Sequence, residues 1–238
     1  MENKGEVKVS FVMPVHNALC WIGEAASSVL MQTVREIELI IVDDKSTDGT
    51  SEFLDEWLGD KEKFPNVTII HNEKNLGAGL SRNLGTAAAS APIIAFTDAD
   101  DICADERAAL IIKHFDENPN SELVTFPNMQ IGYYNEPLEE FPGEPFDHER
   151  FLKDGTPGYY SNPASAAKKE SLLAMGGFGK EEFTDTIKKT DDVIFVENWV
   201  KSGRKIDYQP WGYVTLHRLL PDSMMTKIRG FKNEWIER

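Results

Sequence analysis

The chain has 238 residues, 41% of them hydrophobic and 27% charged, with a formal net charge of -15. This is apolar material for one large α/β domain or two small ones. The acidity excludes a protein that grips nucleic acid or an anionic membrane through lysine and arginine, but not one with a phosphorylated substrate, because a bound cation reverses the local field.

In chain order, residues 7–15 (VKVSFVMPV) form the first predicted strand. Residues 18–32 follow with apolar positions at helical spacing (Trp21, Ile22, Ala25, Val29, Leu30). Residues 37–42 (IELIIV) are a second strand, ending in Asp43-Asp44. Turn chemistry at 46–50 (STDGT) leads to a helix over 51–58. Residues 67–71 (VTIIH) make a third strand, a glycine-rich turn precedes an alanine-rich helix over 80–90, and residues 93–96 (IIAF) are the fourth strand before a helix over 105–117. Continuous apolar strands alternating with amphipathic helices predict a parallel sheet covered on both faces.

Beyond Asn118-Pro119 the texture changes. Residues 123–132 predict one strand. Residues 134–157, rich in Pro, Glu and Phe, predict an irregular excursion or lid. A short helix over 171–175 closes on Gly176-Gly177-Phe178, and a second over 191–202 closes on Gly203. One or two short strands fill 205–216, and 227–238 is helical. The organisation expected is one domain over 1–238: a half at 7–118, a smaller mixed half at 119–225, and the terminal helix. Cys20 and Cys103 are the only cysteines. They lack zinc spacing and read as reduced thiols of a cytoplasmic protein. The N-terminal apolar run is too short for a signal peptide, and no stretch is long enough for a membrane span.

In an open α/β sheet, ligands bind beyond the carboxyl ends of the strands. Here those ends read Pro14-Val15-His16-Asn17, Asp43-Asp44, residues 71–75 (HNEKN) and Thr97-Asp98-Ala99-Asp100-Asp101. Either acid cluster alone reads as helix-cap chemistry; two at equivalent strand ends point to a site. Asp-x-Asp after a buried strand offers hard oxygen ligands suited to Mg²⁺ or Mn²⁺ together with substrate phosphates.

These residues carry a resemblance. VSFVMPVHNA (9–18), SSVLMQTVREIELIIVDDKSTDGT (27–50), NLGAGLSRNLG (75–85), FTDADD (96–101), GGF (176–178), TDDVIF (190–195) and YVTLHRLLPDS (213–223) together resemble the family 2 glycosyltransferases. The likeness is strong over 7–130 and looser over 160–225. It implies a GT-A fold, a Rossmann-like and mostly parallel central sheet flanked by helices with a smaller mixed acceptor-side half. It also implies an inverting enzyme, hexosyl- or N-acetylhexosaminyl-transferring, that uses a nucleotide-sugar. UDP is the nucleotide the resemblance favours, with Mn²⁺ or Mg²⁺ as cofactor.

By the same resemblance, Pro14, His16, Asn17 and Asp44 hold the base, with the Asp44 carboxylate accepting the uracil N3–H. Asn75, Gly77 and Arg82 border the nucleotide, although Arg82 also reads as a structural ion pair. Asp98 contacts ribose or metal, Asp100 ligates the metal, and His217 approaches the metal or diphosphate. Asp192 takes the place of the general base, and Asp191 stands where the family usually has Glu. Asp191, Trp211 and Tyr213 are acceptor-side candidates, and residues 159–167 are expected to line the acceptor cleft. The acceptor implied is a glycan, lipid-linked glycan or glycoprotein of a cell-surface polysaccharide pathway. No nucleic-acid partner is implied. Peripheral membrane contact through the acceptor and the oligomeric state are left open.

Two other readings remain in view: a non-catalytic nucleotide-sugar-binding module, and a metal-dependent nucleotidyltransferase, which does not predict the second-half acid pair. A dinucleotide-dependent oxidoreductase is set aside, because PVHNALCWIG after the first strand lacks GxGxxG and Arg82 stands where the third glycine of the later turn would be.

Overall fold

The computed structural model describes residues 6–141, 143–154, 160–179, 182–183 and 188–220. The expected terminal helix lies outside them. The first half runs β1 (Val9–Val15), α1 (Ile22–Leu30), β2 (Ile37–Asp43), α2 (Thr50–Leu58), β3 (Val67–His71), α3 (Ala78–Ala88), β4 (Ile93–Phe96), β5 (Ile102–Cys103) and α4 (Arg107–Glu117). The second runs β6 (Leu123–Thr125), β7 (Asn128–Ile131), β8 (Pro137–Phe141), α5 (His148–Asp154), a 3₁₀ turn (Asn162–Ala164), β9 (Ser165–Lys168) and α6 (Lys169–Met175). It continues with β10 (Glu182–Phe183), β11 (Lys188–Lys189), α7 (Asp191–Lys201), β12 (Asp207–Tyr208) and β13 (Thr215–Arg218).

The main sheet has the order β12-β6-β9-β4-β1-β2-β3. It is parallel except at β9, which runs antiparallel to both neighbours. A second sheet has the order β5-β13-β7-β8. The nearly unbroken apolar reading of β1 and β2 follows from burial on both faces. Val9, Phe11, Met13, Leu39 and Ile41 pack with Ile22 of α1, Leu54 of α2 and Ile111 of α4. The alternate residues Val12, Ile40 and Val42 pack with Leu172 of α6 and with Phe195 and Trp199 of α7. α3 lies close on this second face: a β-carbon at Gly85 would sit 2.5 Å from Val12 Cγ1.

Pro14 shapes the rim. β1 pairs with β4 only through Val12, whose carbonyl accepts Thr97 N–H at 3.2 Å. The next β1 residue facing β4 is Pro14, which has no N–H to continue the ladder, so the chain after Thr97 is released from the sheet to form the acid loop.

Three expectations are corrected. The strand predicted over 123–132 is two strands in different sheets, broken at Phe126-Pro127. The stretch predicted as irregular contains β8 and α5: β8 pairs antiparallel with β7, and Phe146 and Phe151 carry the α5 segment to the core. Residues 165–168 form β9, a buried strand of small residues that the composition did not announce. Among the described residues no helix is long and apolar enough to cross a membrane, and both cysteines are free, Cys20 exposed and Cys103 buried.

Candidate active site

The loops after β1, β2 and β3 are stapled to one another. Asp44 N–H donates to Val15 O at 2.7 Å, and Asn72 N–H to Asp43 O at 2.8 Å. His16 donates from Nδ1 to Asp44 O at 2.9 Å. Asn17, at φ 52°, donates its N–H to Ser46 Oγ at 3.0 Å and accepts Thr47 N–H at 2.7 Å.

The Asp44 carboxylate receives Leu76 N–H at 2.8 Å, Gly77 N–H at 2.7 Å and Asn72 Nδ2 at 2.8 Å. It thereby fixes the entry to α3, where Gly77 adopts φ 89°. These three donors take most of a carboxylate's roughly four acceptor positions. Asn75 is exposed in the same loop. Asp43 is saturated as well, by Ser46 N–H at 3.1 Å, the Ser51 hydroxyl and His71 Nδ1 at 3.0 Å. Its burial favours the neutral acid, but these bonds outweigh it and hold the carboxyl below its ordinary value.

The loop after β4 is the opposite case. Asp101 is fully buried and satisfied from β13: His217 donates from Nδ1 at 3.0 Å and Arg218 N–H at 2.9 Å. Asp100 accepts no side-chain hydrogen bond from the described residues. Burial first, then the Asp101 and Asp98 charges, push its carboxyl up to about 7, against the pull of His217. For His217, burial alone would lower the imidazole, but Asp101 outweighs it, joined by Asp98 and Asp100, and raises it to about 9.

Arg82 joins the two halves. It is 4% exposed and donates from one nitrogen to Asp98 Oδ1 at 2.6 Å and from the other to Asp191 Oδ2. Its Nε has no partner among the described residues. Burial opposes its charge, and Asp191 and Asp98 more than compensate. Burial raises the Asp191 carboxyl against the charge of Arg82, and Asp192 and Asp98 add to the rise. The contact is made possible by glycine: a β-carbon at Gly79 would lie 2.7 Å from Gly179 O and 2.9 Å from Asp191 Cβ. The Gly-Gly-Phe turn is docked on α3 by Asn83, which accepts Phe178 N–H at 2.8 Å and donates to Phe178 O at 2.9 Å.

Asp192, in the first turn of α7, accepts Val193 N–H at 2.8 Å and the Thr190 hydroxyl, both through Oδ1. Thr190 stands at the N-cap, but its hydroxyl caps no backbone N–H. Oδ2 of Asp192 takes no bond from the described residues.

The structure thus brings together Asp98, Arg82 and Asp191, and separately Asp101 and His217. Trp211 lies elsewhere, its ring 4.4 Å from Lys113 Nζ of α4, and the Tyr213 hydroxyl donates to Glu140 of β8 at 2.7 Å. Residues 162–167 are buried, with the Tyr160 hydroxyl donating to Asn162 Oδ1 at 3.0 Å; residue 159 lies outside the described residues. Among the described residues no three acidic, histidine or cysteine side chains are grouped to hold a metal.

Sequence reasoning missed Arg218, which binds main chain and side chains around the acid loop. The available signal was an arginine in a short strand beside apolar neighbours (TLHR), where a buried charge demands partners.

Comparison with known proteins decides the family. Residues 10–174 match the family described as glycosyl transferase family 2. The chain belongs to that family.

An uncharacterized glycosyltransferase of Haemophilus influenzae is 28% identical over 218 residues, covering 88% of this chain and 68% of that protein. The poly(ribitol-phosphate) beta-glucosyltransferase of Bacillus spizizenii is 30% identical over 203 residues, 84% of this chain and 30% of that one. An uncharacterized glycosyltransferase of Rickettsia felis is 38% identical over 113 residues, 48% of this chain and 18% of its own length. The chain therefore spans under a third of the latter two. S. aureus TarS residues 1–349 in complex with UDP-GlcNAc superposes with a TM-score of 0.71 at 20% identity, over 92% of this chain and 60% of that one. The mannosyltransferase PcManGT of Pyrobaculum calidifontis, in complex with GDP-Man and Mn²⁺, gives 0.61 at 19% identity, over 87% and 55%. The family 2 chain therefore has the GT-A fold.

Proposed function

We infer that this family 2 chain is a single catalytic domain of an inverting glycosyltransferase. It moves a sugar from a UDP-sugar to a hydroxyl of a cell-surface glycan, with Asp192 as the general base. One observation carries the reading: Arg82 bridges Asp98 to Asp191. The acid loop beyond β4 and the acid pair opening α7 thus share one guanidinium. Donor-side and base-side carboxylates need such proximity for a single displacement at the anomeric carbon. Asp192 keeps one oxygen clear of the described residues, as a proton acceptor requires.

The charge of the acid loop favours a divalent cation held by one or two carboxylates plus substrate phosphates rather than by a preformed three-ligand cluster. Asp100 is half-buried, short of donors and flanked by two carboxylates, a charge arrangement that a cation relieves. Asp98 and Asp100 would hold the ion with substrate phosphates completing its shell, and His217, whose Nδ1 is given to Asp101, would offer Nε2 only on losing that nitrogen's proton to solvent. When bound, the cation would neutralise the departing diphosphate. Asp44 has about one acceptor position left, enough for a single N–H from a base. The names of the neighbours support the donor and acceptor classes: a UDP-GlcNAc complex for TarS and a poly(ribitol-phosphate) acceptor for the Bacillus relative.

Calorimetric titration with UDP, GDP and TDP, each with Mn²⁺ and with EDTA, tests the reading. The expected result is Mn²⁺-dependent binding of UDP above the others. Folded protein that binds none of the three would sink it.

A further inference from the structure

The side chain that holds the acid loop in place is Arg218. It is 2% exposed and its side-chain donors fan out to three separate parts of the chain. Nε donates to Asp100 O at 2.9 Å. One terminal nitrogen donates to Gly132 O at 3.2 Å, Tyr133 O at 3.0 Å and Asn135 Oδ1 at 2.5 Å in the β7–β8 turn. The other donates to Glu24 Oε2 of α1 at 2.8 Å. The guanidinium lies 4.5 Å from the Trp21 ring centre, and its own backbone N–H holds Asp101 Oδ1.

Successive residues of a strand face opposite sides. His217 therefore meets the Asp101 carboxylate from one side of β13, while the Arg218 side chain takes the Asp100 carbonyl from the other. The loop needs this restraint, because Pro14 ends the β1–β4 ladder just before it and Asp98, Asp100 and Asp101 repel one another. A guanidinium suits the task, being planar and permanently charged, with five donors in a fixed fork.

We propose that Arg218 is a positioning residue for the candidate donor site. Its Nε–H and backbone N–H set the path of the Asp98–Asp101 loop, and its anchorage on Glu24 and Asn135 makes that path depend on α1 and the β7–β8 turn. The consequence for donor binding rests on the glycosyltransferase reading; the restraint on the loop does not.

The test is hydrogen exchange of the free full chain, followed by mass spectrometry, for wild type, Arg218→Lys, Glu24→Gln and Asn135→Ala. Lysine keeps the charge but not the fork. Exchange of the peptide spanning 98–104 should accelerate about tenfold in Arg218→Lys and two- to threefold in the two anchor variants, with β1 and α3 unchanged. Acceleration spread evenly over all peptides, or none at 98–104, overturns the proposal. The anchor variants keep the question answerable if Arg218→Lys fails to fold. Titration of the same proteins with UDP and Mn²⁺ then separates the two ideas. A loosened loop with weakened UDP affinity supports both. A loosened loop in a chain whose wild type binds no nucleotide supports the restraint and removes the donor reading.

Discussion

Two strand ends carry acid pairs, Asp43-Asp44 after β2 and Asp100-Asp101 after β4, and the structure treats them in opposite ways. The first pair is well supplied: six donors from the β2, β3 and α2–α3 segments converge on its four oxygens and leave Asp44 about one acceptor position. Of the second pair, Asp101 is satisfied from β13, while Asp100 is half-buried, accepts no hydrogen bond from another side chain among the described residues, and is pushed up to about 7. The same residue type in the same topological position is scaffold in one place and uncompensated charge in the other. Donor count separates a carboxylate that builds the rim from one kept for a ligand.

The largest expected effect lies on α7, joined to the loop of the second pair through Arg82. Asp192→Asn should lower the transfer rate by about 10²–10⁴, the usual worth of a general base, while UDP affinity in calorimetry stays within about twofold. A comparable loss of affinity would remove Asp192 from the base role. Next, Asp100→Asn should weaken Mn²⁺-dependent UDP binding by about 100-fold while the melting temperature holds or rises, because repulsion from Asp101 and Asp98 is removed. A falling melting temperature with unchanged affinity would reverse the assignment of the two pairs.

Asp44→Ala should do the contrary. It strands two backbone N–H groups and an amide, and urea unfolding should show a loss of about 3 kcal/mol. The smallest effect is on pH dependence. At His71 burial favours the neutral ring, but the bonds to Asp43 and Asp55 outweigh it and raise the group above 6.5. Its stabilisation is therefore complete below 6.5 and lost as pH rises through the raised value. Asp43 lies below 3.8, so its contribution is present above 3.8 and lost as pH falls through the lowered value. In thermal melts between about pH 2 and 9, His71→Gln should flatten the decline above 6.5 and leave most of the acid limb, because Ser46 and Ser51 still hold Asp43 down. An unchanged alkaline limb would show that the His71–Asp43 bond carries no weight.

How much of this was legible depended on distance along the chain. β1 to β4 were readable because a strand buried on both faces must be apolar throughout, and α7 because its acids precede a periodic run. The rim could be located from strand ends alone. The division of labour within it could not: Asp44 is claimed by Leu76 and Gly77, and Asp101 by a strand more than a hundred residues away. Nothing local distinguishes such an acid from Asp100. β9 was invisible for a related reason. Ser-Ala-Ala-Lys has weak strand propensity, and its conformation is imposed by the two strands it joins. Trp211, singled out for a sugar face, has Lys113 Nζ over its ring, a contact that its own sequence neighbours do not announce.

β9 also has a bearing on the order in which the protein is made. β4 pairs with β1 on one side and with β9 on the other, and β6 reaches the main sheet only through β9. While the chain emerges from the ribosome, β4 therefore waits for about seventy residues of further synthesis with an open, apolar edge of the kind that pairs with strangers. Nascent chains halted between α4 and β9 should be the ones that engage chaperones, and release should coincide with the emergence of Ser165–Lys168.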